Sequence, residues 1–164
     1  MKSTKKQLER FMRESNLIEG ETIDIVGEGV CGRLNKNDIE AATKFLSVPM
    51  TQDSLQELHF ELCVDRSIET KGYWRKCQVY IGKHIPPNPG SLRRLMIMYF
   101  ADLPEMDAWE AHNRFEKIHP FEDLNGRTGR LIWLHKMGGH SDLSFLQAYY
   151  YQTLNHYTKN KINH

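Results

Sequence analysis

A chain of 164 residues, 40% hydrophobic and 26% charged, has the composition of one ordinary globular domain with enough apolar side chains for a core. Its net charge of +1 gives no global attraction to nucleic acid or an anionic membrane, and no apolar run approaches the ~20 residues that cross a bilayer. Met1-Lys-Ser-Thr-Lys-Lys has no apolar stretch behind it, and Cys31, Cys63 and Cys77 are scattered, so a secretory signal, a disulfide framework and a zinc site are not expected and a cytoplasmic location is.

Along the chain, residues 4–18 predict a helix with Leu8, Phe11, Met12, Ser15 and Ile18 on one stripe, stopped after Glu19 by Gly20. Residues 21–33 hold Gly27, Gly29 and Gly32 and read as loop. Asn37-Asp38 offers a cap for a helix to about Leu46, and Thr51-Gln-Asp-Ser opens another with Leu55, Leu58, His59 and Leu62 on one face. Aromatic and β-branched residues between glycines predict a short strand or hairpin over 72–82. Pro86-Pro87-Asn88-Pro89-Gly90 is a rigid connector, and a helix from about Ser91 to Phe100 packs Leu92, Leu95, Met96 and Tyr99. After Pro104 a helix runs to Ile118, because Pro120 disfavours helical geometry at His119. Another begins near Gly126, carries Leu131, Ile132, Leu134 and His135, and ends at Gly138-Gly139; Ser141-Asp-Leu-Ser caps a last one through Tyr157. The expected architecture is all-α, mostly helical, in a single domain over 1–164 with one small β element.

The chemistry concentrates in residues 119–130, His-Pro-Phe-Glu-Asp-Leu-Asn-Gly-Arg-Thr-Gly-Arg. His119 can accept a proton and Asp123 can hold a divalent cation, while Asn125, Gly126 and Arg127 open a helix whose N–H groups and dipole favour an anion. Arg127 and Arg130, three apart, fall on neighbouring parts of one face and can neutralise phosphate. Taken singly, Asn125 is a helix cap, the arginines are solvated and His119 is a helix end. Collected in one loop, they are what moving a nucleotide from a triphosphate to a hydroxyl requires. His112 and His119 are seven apart and His135 and His140 five, which excludes the spacing of a zinc-protease helix.

The run resembles the Fic family signature, His-x-Phe-x-(Asp/Glu)-Gly-Asn-Gly-Arg-x-x-Arg, at every position but one. The likeness extends to the Leu-His helix of 51–62, to a β-hairpin flap and Pro-rich connector over 72–90, and to the Tyr149-Tyr150 helix. It implies a Fic fold with a small flap and a protein adenylyltransferase: AMP passes from ATP to a Ser, Thr or Tyr hydroxyl of a protein and pyrophosphate leaves. By the same resemblance His119 is the general base, Phe121 anchors the loop, and Asp123 binds Mg²⁺. Asn125 and Gly126 hold phosphate oxygens, and Arg127 and Arg130 contact the β- and γ-phosphates. Glycine at 126, where the phosphorylating Doc branch has lysine, favours nucleotidyl transfer. The departure is Leu124, where the family has glycine and Doc relatives alanine; if that position needs φ > 0, a leucine is strained there.

Ser15-Asn-Leu-Ile-Glu19-Gly20 matches the family's inhibitory motif, (Ser/Thr)-x-x-x-Glu-(Gly/Asn), in the branch whose inhibitory helix, here about 4–20, precedes the core. Ser15 and Glu19 are one helical turn apart and so share a face, and the resemblance implies that Glu19 pairs with Arg130 in place of the γ-phosphate. Tyr73 and residues 78–81 are candidates to align a target peptide, and one of Tyr149, Tyr150 and Tyr151 to stack on adenine. The expected partners are ATP and protein targets, the chain itself included, with no nucleic acid or membrane and with room for a homo-oligomer. A Fic-shaped nucleotide-binding module with little transfer, or a transferase with another nucleotide donor, stands as the alternative.

Overall fold

The computed structural model describes residues 4–25 and 29–139, with the backbone alone for 22–25 and 29–31. The expected helical fold is present, with six α-helices among the described residues. They divide between two compact units, one ending at Arg33 and one spanning Leu34–Gly139.

In the first unit, α1 (Lys5–Ile18) starts at a capping box in which the Thr4 N–H donates to Gln7 Oε1 at 2.8 Å while the Gln7 N–H returns to Thr4 Oγ1. It stops where predicted. Gly20 takes φ 75°, its N–H reaches the Leu17 carbonyl, and the Glu21 N–H reaches that of Asn16 at 2.9 Å, the paired bonds of a Schellman ending. Leu8, Phe11, Met12 and Ser15 are buried together with Asn16, while Ile18 is only half-buried.

The stretch expected to be loop is instead a hairpin. β1 (Thr22–Ile25) pairs antiparallel with β2 (Gly29–Gly32), Thr22 opposite Gly32 and Ile25 opposite Gly29. β2 lies on α1, and a Cβ on Gly32 would overlap the Arg13 carbonyl. Here glycine provides close approach of strand to helix rather than a turn. Bonds from Arg13 Nη1 to the Gly32 carbonyl (3.2 Å) and from Asn16 Nδ2 to the Arg33 carbonyl (2.8 Å) secure the contact.

In the second unit, α2 (Lys36–Leu46) is capped by Asn35, two residues earlier than expected, and α3 (Gln52–Leu62) by the Thr51–Ser54 capping box. α4 (Leu92–Asp102) follows a 3-10 turn at Pro89–Ser91 and buries Leu92, Met96 and Tyr99. α5 (Ala108–Ile118) is capped by Asp107, and α6 (Asn125–Lys136) packs along it and touches α2 and α3. α6 is therefore the central helix, with every residue from Arg127 to Leu134 buried. Tyr99 ties α4 to α5 by donating its hydroxyl to the Ala111 carbonyl at 3.0 Å. Among the described residues no helix is long and apolar enough to cross a membrane.

The flap expectation needs correction. Over 72–82 there is no strand; pairing shrinks to one antiparallel bridge, Ile81 with His84, around a turn at Gly82 (φ 57°). Side chains bind backbone carbonyls of this segment and of the connector after it. Arg75 takes the carbonyls of Cys77 and Pro87, and Gln78 takes those of Val79 and Pro86.

Candidate active site

The loop between α5 and α6 begins and ends on a left-handed residue. His119, the C-cap of α5, has φ 50° and ψ 60°, and its N–H closes onto the Phe115 carbonyl at 2.8 Å. Leu124, the N-cap of α6, has φ 60° and ψ 14°, so leucine occupies the conformation that glycine would take freely. Its N–H donates to Asp123 Oδ1 at 2.7 Å, and its side chain is buried. The six residues 119–124, bounded by these two reversals, connect α5 to α6, and α6 starts without a side-chain cap.

A helix start without a side-chain cap is where an anion could bind. The first intrahelical bond of α6 runs from the Thr128 N–H to the Leu124 carbonyl at 3.0 Å, so the N–H groups of Asn125, Gly126 and Arg127 precede the helical ladder. Arg127 and Arg130 are both buried on this helix.

His119 is half-buried, and its Nδ1 lies 3.8 Å from Glu116 Oε2, one helical turn back, with no hydrogen bond made among the described residues. Burial pushes the imidazole down to about 4, and the positive charges of Arg75 and His84 act in the same direction; the Glu116 carbonyl and Asp123 oppose them. The ring is therefore neutral at cellular pH and can accept a proton.

The Asn125 side chain is engaged within the loop. It accepts the Phe121 N–H and donates to the Phe121 carbonyl, both at 2.9 Å, and is 1% exposed. It braces the loop internally, so its amide is not directed at phosphate; what it can offer there is its backbone N–H. Asp123, by contrast, is exposed. Among the described residues no group of three or more His, Cys, Asp and Glu gathers into a metal cage. A single exposed carboxylate still suits Mg²⁺, which takes one or two protein oxygens and completes its shell with phosphate and water.

Two residues that hold the loop were not singled out from sequence. His59 on α3 accepts the Gly72 N–H at Nδ1 (2.9 Å); Nε2 must therefore carry the proton, and it donates to the Asp123 carbonyl at 3.1 Å. Its ring stacks on Phe121 at 3.7 Å and 2°, and burial pushes its pKa down to about 4. A histidine on an otherwise leucine-lined stripe was the available signal, since a buried imidazole requires partners. Arg75, also buried, donates from Nε to the His119 carbonyl at 2.8 Å, while its backbone N–H donates to the Pro120 carbonyl, also at 2.8 Å. It sits in a segment that reads as strand, where one arginine carries no signal of its own. Phe121, fully buried, contacts Trp74 and Phe115 as well and anchors the loop as expected.

Within the first unit, Ser15 is 1% exposed on α1 and Glu19 is the exposed C-cap. Tyr73, the candidate contact for a target peptide, is 70% exposed. Tyr149, Tyr150, Tyr151 and the helix expected from Ser141 lie outside the described residues.

The family model described as Fic/DOC family matches residues 49–135. The chain is 31% identical over 142 residues to a protein adenylyltransferase Fic from Culex quinquefasciatus, covering 77% of this chain and 27% of that protein. It is 34% identical over 124 residues to the protein of the same name from Drosophila melanogaster, covering 70% and 25%. The chain thus spans about a quarter of the length of these curated relatives. Its fold is similar to that of a Fic family protein from Desulfovibrio desulfuricans G20, with TM-score 0.63 at 19% identity over 81% of this chain and 48% of that one. A Fic domain-containing signaling protein from Bacteroides thetaiotaomicron gives 0.57 at 22%, over 80% and 62%.

Proposed function

The chain belongs to the Fic/DOC family, and on that premise we propose that it is an autoinhibited protein adenylyltransferase acting in the cytoplasm. One observation carries the reading: a loop bounded by two left-handed residues joins a neutral histidine to an uncapped helix N-terminus bearing two arginines. A base and an anion site are thereby held a few residues apart.

In the proposed reaction a Ser, Thr or Tyr hydroxyl of a protein attacks the α-phosphorus of ATP. His119 takes the hydroxyl proton on Nε2, the nitrogen left by the burial of Nδ1. The new oxygen–phosphorus bond forms as the bond to the bridging oxygen breaks, and pyrophosphate departs. The first N–H groups of α6 bind phosphate oxygens, and Arg127 and Arg130 neutralise the charge that builds on the leaving group. Asp123 would hold Mg²⁺, which would supply further charge neutralisation at the phosphates. A triphosphate beside His119 would also raise its depressed pKa, because negative charge favours the imidazolium.

Inhibition rests on the Ser15-x-x-x-Glu19-Gly20 pattern. We propose that the Glu19 carboxylate competes with the terminal phosphate for Arg130. Labelled ATP with cell lysate tests both parts: Glu19→Gly should raise AMP incorporation into protein, and His119→Ala in the same background should abolish it. A Glu19→Gly protein that labels neither itself nor any lysate protein refutes the reading.

A further inference from the structure

Arg75 has no assigned part in transfer, yet it is among the largest fully buried side chains, 2% exposed. Its guanidinium donates to three backbone carbonyls, those of His119 (2.8 Å), Cys77 (2.9 Å) and Pro87 (2.6 Å). Among the described residues no carboxylate lies within ion-pair distance of it. Removing a cation from water and giving it only neutral acceptors is costly. What the arrangement achieves is specific. The carbonyl it holds belongs to His119, a non-glycine residue in the left-handed region, and its own N–H holds the next carbonyl, that of Pro120. Such backbone conformations persist where the surroundings over-determine them.

We propose that Arg75 is a positioning residue for the transfer step, fixing the left-handed turn at His119 and tying it to the 72–87 segment. The inference rests on the adenylyltransferase reading, which it deepens by naming what aims the base. Three donors in one rigid plane reach three carbonyls from separate parts of the chain; the single ammonium of a lysine cannot. The positive charge of Arg75 also acts on the imidazole, as do the charges of His84 on the turn and Asp123 in the loop, with Glu116 Oε2 on α5 lying 3.8 Å from Nδ1. Of these, Arg75 and His84 disfavour the imidazolium and Asp123 favours it. Arg75 thus acts on His119 through geometry and through charge.

The test uses Arg75→Lys and Arg75→Gln, each in the Glu19→Gly chain, alongside Glu19→Gly itself. Imidazole NMR would follow the His119 titration, thermal melting the fraction folded, and AMP incorporation kcat and KM for ATP. Both variants should lose kcat on the order of 10–100-fold with KM for ATP changed little, as a misdirected base requires. Arg75→Gln should also raise the His119 titration midpoint, whereas Arg75→Lys, which keeps the charge, should leave it nearer the wild-type position. Folded variants with full kcat overturn the proposal, as does a loss matched by the unfolded fraction with an unchanged His119 titration. If Glu19→Gly itself transfers nothing, the adenylyltransferase reading fails, while the NMR titration still tests the Arg75–His119 coupling. If Arg75→Gln does not fold, the kcat of Arg75→Lys decides.

Discussion

Replacing Leu124 separates backbone strain from burial at the one position where the loop departs from the family signature. Leucine at φ 60° carries left-handed strain of about 1–2 kcal/mol, yet its side chain is 5% exposed and contributes about 2–3 kcal/mol by burial. Leu124→Gly removes both terms and adds about 0.5–1 kcal/mol of unfolded-chain entropy. The variant should therefore be less stable by about 1–2 kcal/mol. Leu124→Ala keeps the strain and loses most of the burial, so it should lose about 2–3 kcal/mol. Urea unfolding followed by circular dichroism at constant m-value would rank the three proteins, and each kcal/mol should lower Tm by about 2–4 °C at this size. The expected order is Leu, then Gly, then Ala. Alanine above glycine by about 1 kcal/mol, the ranking of a right-handed position, would refute the left-handed geometry. Glycine above leucine would refute the stabilising burial.

The buried rings make acid a sensitive perturbation. His59 and His112 titrate at about 4 in the folded chain because burial opposes their charging, while in the unfolded chain they bind a proton near pH ~6.5. Their contribution is complete above about pH 6.5 and falls as pH drops toward 4, by up to a few kcal/mol per ring; denaturant midpoints independent of pH between 7 and 4.5 would contradict it. Asn125→Asp keeps the acceptor for the Phe121 N–H but sets a carboxylate oxygen against the Phe121 carbonyl, so stability should fall by about 1–3 kcal/mol. A melting temperature equal to wild type would show that the amide is not the brace of the loop.

The helices were legible because each is written in short-range terms. Thr51 opens α3, Gly20 stops α1, and Pro120 ends α5, all within a few residues of the event. The candidate run stood out for the same reason: His119, Asp123 and the start of α6 at Asn125 fall within one short stretch. What the sequence did not reveal lies in long-range hydrogen bonding. Gly29 and Gly32 read as loop formers, but strand pairing is made by backbone alone, and Gly32 is there to approach Arg13. Residues 72–82 had the composition of a hairpin, yet pairing there is a single bridge, and Arg75 and Gln78 bind carbonyls of Cys77, Val79, Pro86 and Pro87. That the Asn125 side-chain amide binds the Phe121 backbone could not be read from the sequence. By itself, then, the sequence determined which residues could do chemistry and where helices begin and end, since propensity and capping act over one turn. Only the tertiary structure decided which polar groups brace the loop. Buried donors and acceptors must find partners, and those partners, His59 with Asp123 and Arg75 with His119, lie dozens of residues away.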